Sequence, residues 1–265
     1  MMRLTLGLVL IGMALSAGCT SQTLPDAVAA LAPKGSIRAA LNFANKVLAR
    51  RGTPGGEPAG ISVEIARELG RRLNLPVQFV AYDSAAAMAD AAAAGAWDIA
   101  FLAADPAREK LIAFTAPYLE LEATYMVSAS SRIRTLNEVD VQGVRIAARP
   151  RSAYDLFLRR SLAHAELVYP KDPETDVDVL TSGRADVLAG LRHALADTAA
   201  TTPGVRILEG RFASMQQAIG VPQGRESAAA YLRQFVDDIR TSGLVAGLIA
   251  ASGAPGVSVA PGAKP

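Results

Sequence analysis

The chain has 265 residues, of which 51% are hydrophobic and 20% are charged. This composition predicts a globular protein with one or two cores and excludes a largely disordered chain. The net charge is +2, from 27 basic and 25 acidic residues without long runs of either sign, so nothing resembles a nucleic-acid-binding stripe. Two histidines and one cysteine cannot supply a zinc or iron–sulfur site of the usual kind, and we expect neither a metal nor a cofactor.

Residues 1–18 have the pattern of a secretory signal peptide. A basic Arg3 precedes an apolar stretch at 4–15 that is too short to span a membrane, and small residues follow. Cys19 follows Ala-Gly, which resembles the lipobox of bacterial lipoproteins, although Ser16 stands where leucine is usual. We therefore expect a periplasmic protein anchored to the membrane by a lipid on Cys19. Cleavage to a soluble periplasmic protein is the alternative.

Strands and helices alternate after a segment at 19–34 that we interpret as a linker. Short apolar runs predict strands at Ser36–Leu41, Val77–Tyr82 and Ile99–Ala103. Between the first two, apolar residues recur on one helical face at Ile61, Ile65, Leu69 and Leu73. A strand–helix–strand alternation of this kind indicates a mostly parallel sheet.

The same alternation starts again near residue 120, although no residue-level repeat is detectable. We expect lobe 1 to comprise 35–121 and 210–252, and lobe 2 to comprise 122–209. The Gly/Pro/Ala-rich residues 253–265 are expected to be a disordered tail. Two α/β blocks with a returning segment predict a cleft between lobes, which is a preferred place for ligands.

One turn in the first block has the chemistry of an anion site. Asp105 is suited to cap a helix, Pro106 suits its first position, and Arg108 follows just inside. The carboxyl ends of strands that face helix N-termini tend to bind anions, and an arginine can fork a carboxylate there. The alternative is that Arg108 is a solvated surface residue.

Four segments in order resemble a known family. They are GISVEIARELGRRLNLPVQFV, AGAWDIAFLAADPAREKLIAFTAPY, LNEVDVQGVRIAARPRSAYDLFL and LTSGRADVLAGLRHAL. Together they resemble the extracellular solute-binding proteins of family 3, the polar amino-acid receptors of ABC importers, over nearly the whole mature chain. The resemblance implies an α/β, two-lobed, type II periplasmic-binding-protein clamshell, each lobe a mostly parallel sheet flanked by helices. A hinge of two strands is expected near 120–126 and 208–215.

The function implied by this resemblance is that of a monomeric receptor. It would capture a small carboxylate-bearing solute, an amino acid or a related organic acid, and deliver it to an ABC permease in the inner membrane. Arg108 takes the place of the carboxylate-binding arginine, Ala103 offers backbone N–H groups, and Asp105 is an acid near the site. Ser152, at the start of a lobe 2 helix, either donates to the carboxylate or caps its helix.

The first strand ends in Asn42 and Phe43, for which two interpretations stay open. Asn42 either hydrogen-bonds a polar solute or forms a turn, and Phe43 either stacks on the solute or packs in the core. Asp186 is expected to be structural, and Leu191 stands where the family has an amine-binding aspartate. Without that acid, a solute ammonium would lose water without gaining a partner, so recognition of a standard α-amino acid is in doubt.

Other functions are compatible with the same fold. Cyclohexadienyl dehydratases resemble these receptors, and their chemistry needs an acid in the cleft, for which His164, Glu166 and His193 are the candidates. A third alternative is a solute sensor. The sequence carries no serine–histidine–aspartate order and no paired-carboxylate signature, so we expect a receptor that is not an enzyme.

Overall fold

A mixed β-sheet flanked by helices forms the body of the computed structural model, which describes residues 24–53 and 56–262. Within these ranges the 11 strands are β1 (Ile37–Asn42), β2 (Val77–Tyr82), β3 (Ile99–Ala103), β4 (Ile112–Phe114), β5 (Leu119–Ser128), β6 (Arg145–Ala147), β7 (Glu166–Val168), β8 (Val187–Leu191), β9 (Val205–Ile207), β10 (Ala213–Pro222) and β11 (Val257–Val259). The α-helices are α1 (Leu24–Leu31), α2 (Ile61–Leu73), α3 (Ala85–Asp90), α4 (Pro106–Glu109), α5 (Ala153–Ser161), α6 (Asp176–Thr181), α7 (Arg192–Thr201), α8 (Glu226–Thr241) and α9 (Leu244–Ser252).

The sheet has two parallel halves joined by two long antiparallel strands. Its order is β2-β1-β3-β10-β5-β8-β6-β7, in which β1 pairs with β2 and β3 in parallel, and β6 pairs with β7 and β8 in parallel. We call β1–β4 with α1–α4, α8 and α9 lobe 1, and β6–β9 with α5–α7 lobe 2. The strands β5 and β10 run between them. This architecture confirms the predicted two-lobed α/β fold. The exact lobe boundaries stay predictions, since 121/122 lies within β5.

Apolar periodicity explains how the helices pack on the sheet. In α2 the buried side chains include Ile61, Ile65 and Leu69, while its arginines and glutamates lie on the outer side. The opposite face of the lobe 1 sheet is covered by a second cluster around Met88 and Trp97, both fully buried. The indole N–H of Trp97 donates to the Met88 carbonyl at 3.0 Å. Trp97 is therefore a packing residue of this cluster.

The segment predicted as a linker, 19–34, contains a helix where the structure describes it. Leu31 of α1 is fully buried, and Arg225 Nη1 donates to the Ala30 carbonyl at 3.2 Å. The helix forms because its apolar residues find a groove beside α8, a non-local partner. The linker interpretation is thus wrong for Leu24–Leu31, while Cys19 and the signal segment lie outside the described residues.

The prediction of a disordered tail at 253–265 is also wrong, as far as the structure describes these residues. The strand β11 pairs antiparallel with Leu119–Leu121 of β5, along the same edge of β5 that pairs with β8 from Ala123 onward. Gly256 makes the turn into this strand with a φ of +71°, which favours glycine. Backbone hydrogen bonding to an open edge orders the tail despite its composition, as far as residue 262.

Both lobes contain the same arginine–aspartate arrangement, which we call the clasp. In lobe 1, Asp98 accepts from the backbone N, Nε and Nη2 of Arg38 at 3.0, 2.9 and 2.8 Å. In lobe 2, Asp186 accepts from the same three atoms of Arg145 at 2.9, 3.0 and 2.9 Å. Each clasp joins the amino ends of two parallel strands. The structural role expected for Asp186 therefore has a geometric basis.

No helix among the described residues is both long enough and apolar enough to cross a bilayer.

Candidate ligand-binding cleft

A cavity of about 240 Å³ lies between the lobes at the carboxyl ends of the parallel strands. Lobe 1 contributes the ends of β1 and β3, including Asn42 and Ala103, together with Arg108. Lobe 2 contributes the loop after β6, the start of α5 at Ser152, and the end of β8 at Leu191. Carboxyl strand ends are the usual ligand-binding edge of open α/β sheets, so the cavity lies where the topology predicts a ligand site.

Arg108 is a buried cation at the centre of this cavity. Its side chain is 5% exposed, Nη1 donates to the Ala103 carbonyl at 2.8 Å, and Nη2 donates across the cleft to the Arg151 carbonyl at 3.1 Å. Within the part of the chain that the structure describes, it forms no ion pair with a carboxylate. Burial lowers the pKa of Arg108 to about 10, with the charge of Asp105 raising it and that of Arg151 lowering it. The guanidinium therefore stays charged at neutral pH.

The interpretation of Arg108 as an exposed surface residue is wrong. The cap of α4 explains its position, because Asp105 Oδ1 accepts from the Ala107 N–H at 2.9 Å and Pro106 follows the cap. The short helix turns Arg108 back toward the end of β3, where Ala103 supplies a carbonyl for it. Ala103 thus lines the cavity and also positions the arginine.

On the lobe 2 side, the carbonyl that binds Arg108 belongs to a residue with an uncommon backbone conformation. Arg151 has a φ of +57°, which is uncommon for a residue with a side chain. In this conformation its carbonyl accepts from Arg108, while its N–H donates to Asp155 Oδ2 at 2.7 Å. The sequence offers no signal for this backbone state.

Ser152 begins helix α5, as the sequence predicts. Its Oγ accepts from the Asp155 N–H at 3.1 Å, so the capping interpretation holds. Ala153 and Tyr154 follow in the first turn, where N–H groups have no acceptor inside the helix. These N–H groups and the positive end of the helix dipole favour an anion beside them.

Asn42 lines the cavity and forms a turn at the same time. Its side-chain oxygen accepts from the Ala44 N–H at 3.1 Å, which is the turn chemistry considered for it. Phe43, by contrast, does not line the cavity, and the guanidinium of Arg51 lies 4.7 Å from its ring centroid. The strand ends at Asn42, so the next side chain points away from the cleft. The stacking role expected for Phe43 has no support in this geometry.

Asp105 caps its helix as predicted, but the ligand contact expected of it is not supported by the structure. Its carboxylate caps α4 and pairs with Arg160 of lobe 2 at 2.9 Å, and it does not line the cavity. Both oxygens therefore have protein partners. Asp105 supports the cleft by holding α4 and by joining the lobes, while direct contact with a solute lacks support.

Several cavity residues were not singled out from the sequence. Gln217, 5% exposed, comes from β10, and Arg149 follows β6 and pairs with Asp176 at 3.1 Å. The strand alternation around Gln217 is the signal that would have identified it, because every second residue of β10 faces the cavity side. Arg149 lies in the loop after β6 and Asp176 is the first residue of α6, so only the fold brings them together.

The lobes also contact each other beside the cavity. His193 Nε2 lies 3.1 Å from Asn45 Oδ1, and His193 is 3% exposed. Arg151 pairs with Asp90 of α3 at 2.5 Å, in a bridge whose side chains are both more than half exposed. With the pair of Asp105, these contacts hold lobe 2 against lobe 1.

Two α/β lobes that contribute residues to one cavity across two connecting strands define a ligand-binding clamshell. The family model of the bacterial extracellular solute-binding proteins, family 3, matches residues 49–251. The chain belongs to this family, as the four sequence segments predict. It is therefore a solute-binding protein of a family whose members are extracellular.

Solved structures with the same fold include several binding proteins. The P235GK mutant of ArgBP from T. maritima is 19% identical with a TM-score of 0.69, covering 85% of this chain and 98% of its own. A solute receptor for L-cysteine of Neisseria gonorrhoeae is 20% identical with a TM-score of 0.72, covering 85% and 92%. An ancestral amino acid-binding protein, a precursor of cyclohexadienyl dehydratase, is 17% identical with a TM-score of 0.69, covering 87% and 99%. These similarities support the type II clamshell fold.

Proposed function

We propose that this protein is the substrate-binding component of an ABC transporter, which captures a small carboxylate-bearing solute and delivers it to a permease in the inner membrane. The observation that carries the proposal is Arg108, a buried guanidinium that lines the cavity without a carboxylate partner among the described residues. A solute carboxylate would supply the missing charge, and the planar fork can bind both of its oxygens.

The two lobes would close on the solute because each of them supplies some of the groups that bind it. Arg108 of lobe 1 would hold the carboxylate first, and the N-terminal N–H groups of α5 near Ser152 would meet it from lobe 2. Contacts that exist only when the lobes meet stabilise the closed form, so the solute shifts the population toward it. The side chains of Asn42 and Gln217 offer further hydrogen bonds inside the cavity. The receptor is expected to act as a monomer and needs no cofactor.

A thermal-shift screen over organic acids, amino acids and opines should identify the solute, because a specific ligand stabilises the folded state by mass action. Arg108→Ala should then weaken binding by about 2–5 kcal/mol, roughly 30- to several-thousand-fold in Kd. Arg108→Lys should not restore it, since a point charge does not reproduce the two-oxygen geometry. Isothermal titration calorimetry gives these values directly.

Two controls keep this test specific. Arg108→Met keeps most of the side-chain volume without the charge, so it separates loss of the carboxylate contact from loss of packing. Arg132→Ala removes an exposed arginine that does not line the cavity and should bind like the wild type. A Kd within about threefold of the wild type in Arg108→Ala would reject the carboxylate proposal.

The receptor proposal implies that the protein is not an enzyme. Dehydratase chemistry needs an acid against the substrate, and the candidates His164, Glu166 and His193 do not line the cavity. Turnover of prephenate or arogenate by the purified protein, lost in Arg108→Ala, would favour the enzyme on this fold instead.

The proposed anchor is a lipid on Cys19. Cys19→Ser should release the protein from membranes into the periplasm, whereas mass spectrometry of an unmodified mature chain would reject the anchor and favour a soluble periplasmic form.

A further inference from the structure

Among the described residues, the cavity offers no carboxylate without an arginine partner to a positively charged group. Of the described residues that line it, Asp176 is the acidic one, and Arg149 Nη2 lies 3.1 Å from its carboxylate. Three arginines, Arg108, Arg149 and Arg151, also line the cavity, so its charge is positive overall. An ammonium group placed here would be repelled by these cations and would have to compete with Arg149 for Asp176.

Acids just outside the cavity are occupied as well. Asp105 is bound by the cap of α4 and by Arg160. Asp155, fully buried at the start of α5, accepts from the Arg151 N–H at 2.7 Å, from Tyr169 Oη at 2.9 Å and from Arg159 Nε at 3.0 Å. Turning either carboxylate toward a solute would take the acceptor away from the donors that now bind it, such as the Ala107 and Arg151 N–H groups, which is unfavourable.

The walls around the arginine are mostly aliphatic or aromatic. They come from both lobes and include Leu48, Phe101, Leu102, Leu188, Leu191 and Leu195. Leu191 occupies the N-cap position of α7 and makes no side-chain capping bond, so an apolar side chain lies where a capping polar residue is usual. Polar groups that remain, such as those of Asn42 and Gln217, are neutral.

We infer that the cavity is built for a small monocarboxylate that has an apolar body and no ammonium group. Arg108 takes the carboxylate, the leucine walls take the body, and the lack of a free acid excludes the amine. This inference rests on the proposed function, because it takes the role of Arg108 as given, and it adds the chemical class of the solute.

Matched pairs of probes test the inference by removing only the amine. Leucine, norleucine, valine and phenylalanine are compared with 4-methylpentanoate, hexanoate, 3-methylbutanoate and 3-phenylpropanoate by calorimetry on the wild-type protein. We expect at least one deaminated acid to bind at least tenfold more tightly than its amino acid. An amino acid that binds as well as its deaminated partner would overturn the inference, and so would failure of all four deaminated acids to bind.

Leu191→Asp is the variant that should reverse this preference. Aspartate and asparagine are both good N-caps, so Leu191→Asp and Leu191→Asn should both fold and differ only in charge. Leu191→Asp should bind an amino acid at least tenfold better than Leu191→Asn does. Equal binding by the two variants counts against the inference.

Binding to Arg108→Ala distinguishes a failure of the proposed function from a failure of this inference. Arg108→Ala should weaken binding of whichever class is preferred by at least about 30-fold in Kd. If amino acids are preferred and Arg108→Ala still weakens their binding to this extent, the inference is wrong and the carboxylate receptor stands. If a deaminated acid binds equally well to Arg108→Ala, the carboxylate proposal itself is wrong, and the inference that rests on it is overturned too.

Discussion

The two clasps have the same hydrogen bonds in different surroundings. In lobe 1, Asp98 is fully buried, its partner Arg38 is 15% exposed, and Arg225 Nη1 adds a second cation at 2.9 Å. In lobe 2, Asp186 is 36% exposed and its partner Arg145 is 41% exposed. The same hydrogen bonds therefore affect the stability of the two lobes by different amounts, because water screens an exposed ion pair and does not screen a buried one.

The arginines of the cleft repeat this contrast. Arg108 of lobe 1 is buried without a carboxylate, while Arg149 and Arg151 of lobe 2 are about half exposed and each has one. Both clasps lie at the amino ends of strands, away from the cavity, so their charges serve the fold. Arg108, the buried charge that has no carboxylate partner among the described residues, lies at the opposite end of the same strands and is the one that points to a ligand.

The largest expected effect is the loss of stability when the aspartate of the lobe 1 clasp is replaced, compared with the same change in lobe 2. Asp98→Asn should lower the free energy of unfolding by about 3–5 kcal/mol, because it leaves two arginines beside a buried neutral amide. Asp186→Asn should cost about 1 kcal/mol or less, since its pair is partly solvated. Urea unfolding of both variants measures the difference. Equal losses would show that burial does not distinguish the clasps.

Acid should weaken both clasps. Hydrogen bonds from Arg38 and Arg225 outweigh burial and hold the pKa of Asp98 below its usual range. Arg145 does the same for Asp186. A carboxyl with a lowered pKa adds stability that is present above its unfolded value near 3.8 and is lost as the pH falls through the folded value.

The second prediction concerns His193, the buried imidazole of lobe 2 that meets lobe 1. Burial lowers its pKa to about 4, against a smaller opposing effect of Asp197. With Nε2 paired to Asn45, Nδ1 has no hydrogen-bond partner, so protonation would bury an unsatisfied N–H. The unfolded imidazole has a pKa near 6.5. The contribution of the neutral His193 imidazole to the free energy of unfolding is therefore present above pH 6.5. It is lost progressively as the pH falls from 6.5 to 4, to a total on the order of 3 kcal/mol.

The measurement compares unfolding free energies of the wild type and His193→Gln across this range. Glutamine keeps a donor for Asn45 and does not titrate, so the difference between the two proteins should slope with pH while carboxylate effects cancel. Parallel pH profiles would mean that His193 titrates as it does in the unfolded chain.

The smallest effects are expected for the ion pairs that join the lobes. Arg160→Ala leaves the buried Asp105 with its cap bond alone and should destabilise the closed arrangement by about 1–2 kcal/mol. Asp90→Ala removes one partner of a well-exposed bridge and should cost about 0.5 kcal/mol or less. Small-angle X-ray scattering should detect a larger mean radius of gyration for Arg160→Ala than for Asp90→Ala. The reverse order would contradict the link between burial and strength.

Local patterns predicted much of this structure. The strand Ile99–Ala103, the cap at Asp105 and the helix at Ser152 were identified because each depends on neighbouring residues. The arginine at the cleft followed from them. The two clasps were not predicted from the sequence. Their partners are 60 residues apart in lobe 1 and 41 apart in lobe 2, and a pair without a fixed spacing leaves no recognisable pattern.

The errors share a physical cause. The helix at Leu24–Leu31 and the strand at Val257–Val259 form against distant parts of the chain, which composition does not reveal. The orientation of Phe43 depends on where β1 ends, and the backbone of Arg151 depends on contacts from Arg108 and Asp155. Non-local contacts decide these features, and a single sequence does not contain them in readable form.

The strand β11 also limits where the molecule can bend. It occupies one edge of β5 as far as Leu121, the Glu122 N–H donates to the Gly256 carbonyl at 2.8 Å, and β8 takes over that edge from Ala123. On the opposite edge β10 holds β5 through Ala123, and β9 begins at Met126. A ladder on both edges stiffens a strand, so we expect β5 to bend between Ala123 and Met126, where its partner on this edge changes from β10 to β9. Strand β11 would then limit bending on the lobe 1 side of this point, and a protein fused after it would lie close to the segment that bends.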